Sequence, residues 1–297
     1  MSGSSERTPN PRALLARSNH RVARLRRLGQ DHRERVREQR ILVEGPTLLN
    51  EALDAGLPVE RLFVDVDRRG EDLDTLLDRL EGRPLHRVAS GVLNWALPTV
   101  SPQGVAGIVG EPPAADLDVL LARALAAKRP LLGLVSVGEP GNLGTMIRTA
   151  EAAGCVGVVL VGDGVDLWNP KAVRAAAGAS FRMPYGRAGD EVVEVARRSG
   201  VAVAATTLDG TVGHLDAPLS GPVLVLMGNE ARGLDEAIGA RCDHRIRIEM
   251  DGPTESLNVA HAATVVLFEA LRQRRAAGNS ENGRGVGARL GPECRHG

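Results

Sequence analysis

Four short apolar runs constrain this chain most: Leu131–Val137, Val156–Val161, Val201–Thr206 and Val223–Met227. None alternates apolar and polar residues as a strand with one wet face does. A strand that reads apolar throughout is buried on both sides, as in a parallel sheet covered by helices. Helical patterns fall around the runs at Leu143–Ala153, Pro170–Ala177, Glu191–Arg198 and Leu234–Ala240. A further strand at Arg245–Ile248 leads to a long helix over Leu257–Arg275. The second half is therefore expected to be an α/β domain built on a parallel sheet.

The first half alternates on a smaller scale. Strands are expected at Ile41–Val43, Arg61–Val66, Leu85–Val88 and Val105–Val109. Helices are expected at Pro46–Ala55, where Pro suits the first turn, and at Leu73–Leu80 and Val92–Ala96. This is a second, smaller α/β domain over residues 12–110. Glu111-Pro-Pro opens a linker over 111–128 that contains a helix at Leu117–Lys128, and the larger domain covers 129–275. Residues 1–11 and the Gly-, Arg- and Asn-rich stretch 276–297 lack periodicity and read as disordered.

Charge is balanced overall, with 37 Lys plus Arg against 37 Asp plus Glu, which excludes a histone-like basic protein and an acidic solvating tail. Only six aromatic residues are present, too few for a platform that stacks single-stranded bases. No stretch approaches the 18 or so apolar residues of a membrane span, and no signal-peptide pattern opens the chain. Cys155, Cys242 and Cys294 are far apart and lack ligand spacing, so neither a disulfide framework nor a metal site is expected. These features fit a reduced, cytoplasmic protein. The balance is uneven along the chain, however. Residues 12–40 hold ten Arg against Asp31, Glu34 and Glu38, a net +7. Val22, Leu25 and Leu28 recur at helical spacing there, which predicts one basic helix. Arg21, Arg24, Arg26 and Arg27 on it are candidate nucleic-acid contacts, because a guanidinium fork suits phosphate. A merely solvated face is the alternative.

Three loops carry chemistry. In Val137-Gly-Glu-Pro-Gly-Asn-Leu-Gly-Thr-Met-Ile-Arg148 a strand runs into a helix. Pro140 stands where a dinucleotide fingerprint needs Gly, and no Lys-Ser/Thr follows for a P-loop. Asn142 is expected to cap the helix, and Arg148, one turn past Gly144, can lean over it toward an anion. In Gly228-Asn-Glu-Ala-Arg-Gly-Leu234 the glycines permit close approach and Glu230 offers a carboxylate at a strand end, where α/β sheets bind ligands. In the third, Ser256 is expected to cap the last helix, with Asn258 in its first turn. Each loop alone also fits an ordinary capped helix or turn.

Together, Asn142-x-Gly144-x-x-x-Arg148, Gly228-Asn-Glu230-x-x-Gly233-Leu and Ser256-Leu-Asn258-Val-Ala resemble the three motifs of the SpoU/TrmH family. Its members are S-adenosylmethionine-dependent RNA ribose 2′-O-methyltransferases of the SPOUT superfamily. Upstream, Ser18-Asn19, the Arg-rich helix, Val43-Glu-Gly-Pro46 and Pro102-Gln-Gly-Val105 resemble the family's N-terminal substrate-binding domain, which has a ribosomal-protein-like fold.

The resemblance implies a deep trefoil knot in the catalytic domain, a homodimer, and S-adenosylmethionine as methyl donor with no metal. It implies that Gly228, Ile248 and Leu257 hold the adenosine portion, with Thr206 and Leu226 as further candidates. Asn142, Arg148, Glu230, Ser256 and Asn258 match the catalytic positions. A guanidinium stays protonated at neutral pH and is a poor base, so Arg148 suits a phosphate clamp and alkoxide stabiliser better. Glu230 would orient Arg148 or the loops. One departure is Ile248-Glu249-Met250, where the family has Ile-Pro-Met, placing a carboxylate near the expected donor pocket. The N-terminal domain points to 23S rRNA as substrate, with tRNA, or an inactive RNA-binding relative, as alternatives.

Overall fold

The computed structural model describes residues 14–286, with side chains to Ala277. The expected disorder of 1–11 lies outside the described residues. Two compact units form: one from residues up to Pro113 together with Asp166–Arg182, the other from Ala114–Val165 together with Met183 onward.

The first unit opens with α1 (His20–Gln30) and α2 (His32–Glu38). It continues through β1 (Arg40–Glu44), α3 (Pro46–Asp54), β2 (Val59–Asp65), α4 (Glu71–Arg79), β3 (Leu85–Val88), α5 (Val92–Ala96) and β4 (Val105–Gly110). Its sheet has the order β1-β4-β2-β3, with β4 antiparallel to both neighbours and β3 parallel to β2. Val22, Leu25 and Leu28 are fully buried in one cluster with Phe63, Leu93 and Ile108, as their spacing predicts. The basic stretch is two helices rather than one. Asp31 breaks it: its backbone N–H closes α1 on the Arg27 carbonyl, and its side chain caps α2 by accepting from Arg33 N at 2.8 Å.

The chain then enters the second unit with α6 (Leu117–Ala127), β5 (Leu131–Val135), α7 (Pro140–Ala153) and β6 (Val158–Val161). It rejoins the first for α8 (Pro170–Ala176) and α9 (Ala179–Arg182). The pattern of apolar runs assigns 166–182 to the larger domain; its contacts assign it to the smaller unit. Arg35 donates to Asp166 at 2.7 Å with both side chains under 10% exposed, and also to the Leu28 carbonyl at 2.6 Å. Trp168 is buried and its indole N–H reaches Glu111 at 2.8 Å. Arg174 stands 3.7 Å from Glu44, a nearly buried carboxylate that also accepts from Thr99. Charged partners far away in sequence leave no local signal, so the boundary was invisible.

The second unit continues with β7 (Tyr185–Ala188), α10 (Val192–Arg198), β8 (Ala202–Thr206), β9 (Val212–Gly213), β10 (Val223–Met227), α11 (Glu236–Gly239), β11 (His244–Arg247) and α12 (Val259–Val286). Its seven strands are all parallel, in the order β7-β6-β5-β10-β8-β11-β9. The apolar runs are buried as expected. The helix α6, expected within a linker, instead places Leu120, Leu121 and Ala124 in the same core as Val159, Val203 and Leu224. α12 also continues past Arg275 to Val286, so 276–286 is helical rather than a disordered tail. Residues 287–297 lie outside the described residues.

Candidate active site

The loop after β10 explains its glycines and its asparagine. Asn229 and Gly233 exchange backbone hydrogen bonds, each 2.9 Å, which closes the loop on itself. The Asn229 side chain accepts from Ala231 N at 3.0 Å and Arg232 N at 3.1 Å, and donates to the Ser136 carbonyl at 2.9 Å. Gly233 takes φ +69°, a conformation an L side chain resists, and a Cβ on Gly228 would overlap the Gly233 and Leu234 backbone.

That loop presents Glu230 to the start of α7. Its carboxylate accepts from Gly138 N and Glu139 N, both at 3.0 Å, and from the Asn142 side-chain amide at 3.1 Å. Asn142 Oδ1 in turn accepts from Asn258 Nδ2 at 3.1 Å. One hydrogen-bonded chain, Glu230–Asn142–Asn258, therefore joins all three loops. Burial works to raise the Glu230 pKa, but the bonds from Gly138, Asn142 and Glu139 outweigh it and the net shift is downward. Glu230 is thus a fixed anionic acceptor.

Two expected caps are displaced. α7 starts at Pro140 with Glu139 as its N-cap, so Asn142 sits inside the first turn. The fixed φ of Pro140 begins the helix early and leaves the Asn142 amide for Glu230. α12 is capped by Asn258, whose Oδ1 accepts from Ala260 N at 2.9 Å, not by Ser256. Ser256 is exposed on the preceding loop. Arg148 is also exposed and has no hydrogen bond or ion pair to any described residue. It stands six residues, about 9 Å of helix rise, beyond Asn142, so the structure does not join it to the amide chain.

Beside that chain lies a cavity of about 580 Å³, lined by the C-terminal ends of β8 and β10, the loop after β11 and the start of α12. Thr206, Gly228, Ile248, Ser256 and Leu257 all line it. Leu226 does not: it is fully buried in the core, and its strand neighbour Met227 lines the cavity instead. Successive side chains of a strand point to opposite faces, and a run apolar on both faces hides which is which. Thr207, Asp209 and Arg245, which belong to none of the three sequence motifs, line the cavity as well. The hydroxyl of Thr206 is buried in the cavity wall without a hydrogen-bond partner, while Asp209 is held by Arg245 and Thr207. An unmet buried hydroxyl fits a polar ligand. Glu249 is turned out of the cavity that its neighbours Ile248 and Met250 line; it pairs with Arg247 at 3.3 Å and lies against Gly213. Among the described residues no group of three or more His, Cys, Asp or Glu is arranged to hold a metal.

The four arginines singled out on the basic stretch differ in role. Arg24 donates to Glu38 at 2.6 Å and forks onto Glu60 at 2.6 and 3.1 Å, and its hydrogen bond is the main reason the Glu60 pKa falls to about 2. Arg26 stacks 4.2 Å from the Trp95 ring centroid and donates to the Trp95 carbonyl. Arg27 is exposed and 3.4 Å from Glu34. Arg21 has no side-chain partner among the described residues.

A model of the SpoU rRNA Methylase family matches residues 130–268, and a model of the MRM3-like substrate binding domain matches residues 19–107. The chain is 32% identical over 279 residues to the 23S rRNA (uridine(2479)-2′-O)-methyltransferase of Streptomyces viridochromogenes, covering 91% of this chain and 95% of that protein. The chain belongs to the SpoU rRNA methylase family. The 23S rRNA (guanosine(2553)-2′-O)-methyltransferase of Bacillus subtilis is 34% identical, covering 80% of this chain and 90% of that protein. Among solved structures, the SpoU methyltransferase AviRb from Streptomyces viridochromogenes in complex with AdoMet has a TM-score of 0.78 at 31% identity, covering 87% of this chain and 99% of that one. An AdoMet-bound rRNA methyltransferase from Sinorhizobium meliloti gives 0.77 at 32%, covering 87% and 97%. The SpoU match spans all three loops and most of the second unit, and it ends within α12.

Proposed function

We propose that this chain transfers the methyl group of S-adenosylmethionine to a ribose 2′-hydroxyl of large-subunit ribosomal RNA. The observation that carries the reading is the Glu230–Asn142–Asn258 chain, which ties three separate loops together beside a polar-lined cavity. Relatives that align over most of their length are 23S rRNA methyltransferases, which favours rRNA over tRNA. The donor supplies an electrophilic sulfonium methyl. In this reading Ile248 and Leu257 form the apolar slot for its adenine, while Gly228 and the Thr206 hydroxyl serve its polar edges.

The chain's own residues then align the acceptor. Ionised Glu230 fixes the Asn142 amide, and Asn142 fixes that of Asn258. Each of the two amides keeps one N–H beyond these bonds, available to orient a ribose oxygen. Arg148, a free cation outside the cavity, clamps the phosphate of the target nucleotide and stabilises negative charge developing on the 2′-oxygen; as the methyl carbon bonds to that oxygen its bond to sulfur breaks, the donor leaves as a neutral thioether, and the hydroxyl proton passes to solvent. Ser256, on the loop before α12, lines the cavity that would hold the donor. The same reading includes a trefoil knot in the second unit, a homodimer, a ribosomal-protein-like fold for the first unit, and a cytoplasmic location. No helix among the described residues is long and apolar enough to cross a membrane.

The test is transfer of labelled methyl to unmodified rRNA and tRNA, with mapping of the modified position. Label on a 2′-oxygen of large-subunit rRNA is expected; label on a base, or none, overturns the proposal.

A further inference from the structure

The nine described arginines between residues 17 and 40 are mostly engaged within the protein. Arg24, Arg27, Arg37 and Arg40 surround Glu34, Glu38 and Glu60; Arg35 is held by Asp166; Arg26 lies on Trp95. Arg17, Arg21 and Arg33 have no side-chain partner among the described residues. Two of these three bracket the start of α1, whose first turn carries no acidic residue. A cation at the positive end of a helix is disfavoured unless something negative lies close by.

A further cation, Arg61, and a neutral imidazole, His86, share that end of the unit. His86 on β3 is paired in register with Phe63 on β2, which puts Arg61, two residues earlier, on the same sheet face as His86. Arg61 Nη1 lies 3.0 Å from His86 Nε2. Burial, then Arg61, Arg21 and His20, push the His86 pKa down to about 4, so the ring is neutral and accepts from Arg61. The Arg61 Nε is buried without a hydrogen-bond partner. Glu60 comes no nearer to it than 4.0 Å and is already bound by Arg24 and Arg40. The face therefore gathers unmatched positive charge and unmet N–H donors, chemistry that fits a chain of phosphates.

We propose that the first unit grips RNA phosphates on the face formed by Arg17, His20 and Arg21 at the start of α1 together with Arg61 and His86 on the sheet, rather than along the length of the basic stretch. This rests on the RNA-methyltransferase reading above and names where the RNA backbone lies on the first unit.

Filter binding of the full-length chain to an unmodified large-subunit rRNA transcript, over a range of salt concentrations, tests it. The double variant Arg17→Glu/Arg21→Glu is expected to bind about tenfold more weakly. Its plot of log K against log[salt] should be shallower by about two contacts' worth of counterion release. Its thermal stabilisation by S-adenosylmethionine should be unchanged. Arg17→Glu alone, in an exposed turn, should show part of the loss, and Arg17→Lys/Arg21→Lys should restore it. Arg198→Glu, an equal charge change at an exposed position on α10, should bind as wild type. If wild type methylates rRNA and the double variant binds within twofold of it, the face is refuted and the enzyme reading stands. If wild type neither binds nor methylates rRNA, both fall.

Discussion

Glu230→Gln is the substitution that most directly tests how the three loops are held. The carboxylate accepts three hydrogen bonds, two from backbone N–H groups at 3.0 Å and one from Asn142 at 3.1 Å. Glutamine keeps one oxygen but puts an NH₂ group where the other was, so at least one donor then faces a donor. The remaining bonds also lose their charge assistance. Breaking a hydrogen bond to a charged acceptor costs about 1.5–3 kcal/mol when buried, but Glu230 is exposed and water can replace part of the loss. A total of about 1–2 kcal/mol follows, which lowers Tm by about 2–8 °C for a unit of this size. Turnover should suffer more, because an Asn142 amide free to rotate no longer fixes Asn258, and a misplacement near 1 Å can cost about a hundredfold.

Single-turnover methylation should therefore show kcat down by about ten- to a hundredfold with a much smaller change in donor KM, a split that general destabilisation would not produce. If Glu230 and Asn142 act as one unit, Glu230→Gln/Asn142→Ala should be little worse than the poorer single variant. The pH dependence adds a sign. The folded pKa of Glu230 is depressed, so its contribution is present above the ordinary carboxylate pKa and is lost as pH falls through the lowered value. Wild type should lose activity on that acid limb, and Glu230→Gln should flatten it. A variant with at least half the wild-type kcat, or effects that simply add, would refute the positioning role.

Gly228→Ala should remove donor-induced thermal stabilisation and destabilise the second unit by about 1–3 kcal/mol in urea melts, because its Cβ meets the rigid Gly233–Leu234 backbone. Arg148→Ala should reduce methyl transfer while leaving donor affinity, measured by calorimetry, within twofold; full activity would sink its role as a phosphate clamp. His86 titrates in the folded chain near pH 4 instead of 6.5, so the unfolded state binds the proton first. The stability of the first unit should be complete above pH 6.5 and decline as pH falls toward 4, and His86→Gln should abolish that decline in pH-resolved urea melts.

The apolar runs revealed β5, β6, β8 and β10 because a strand buried on both faces has nothing else to be. Tyr185–Ala188 lacked such a run, with a Gly and an Arg among its four residues, and the two-residue β9 was too short to signal at all. The helix starts failed for a different reason. Pro140 and Asn142 both suit the beginning of α7, as Ser256 and Asn258 both suit that of α12, and local preference cannot rank them. The choice is made across the fold, by the Glu230 carboxylate that draws the Asn142 amide away from capping. Cavity residues such as Asp209 and Arg245 escaped notice because nothing in their spacing links them. Only the parallel pairing of β8 with β11 brings their neighbourhoods together.

The basic stretch shows why a sum of charges is a weak guide to where nucleic acid binds. A net +7 over residues 12–40 suggests a uniformly phosphate-seeking helix. Two of its three acids, Glu34 and Glu38, instead sit among its arginines, while Glu60 and Asp166, distant in sequence, neutralise others. Arg24 illustrates the consequence. With its guanidinium bonded to two carboxylates, a phosphate could take it only by displacing Glu38 or Glu60 from a site where the Glu60 pKa is already held near 2. Arg17 and Arg21 carry no such penalty. If RNA contact follows free charge rather than total charge, Arg24→Gln should disturb the stability of the first unit more than its affinity for rRNA, and Arg21→Gln the reverse. Equal losses of affinity from both variants would show that the internal pairs open to receive the substrate.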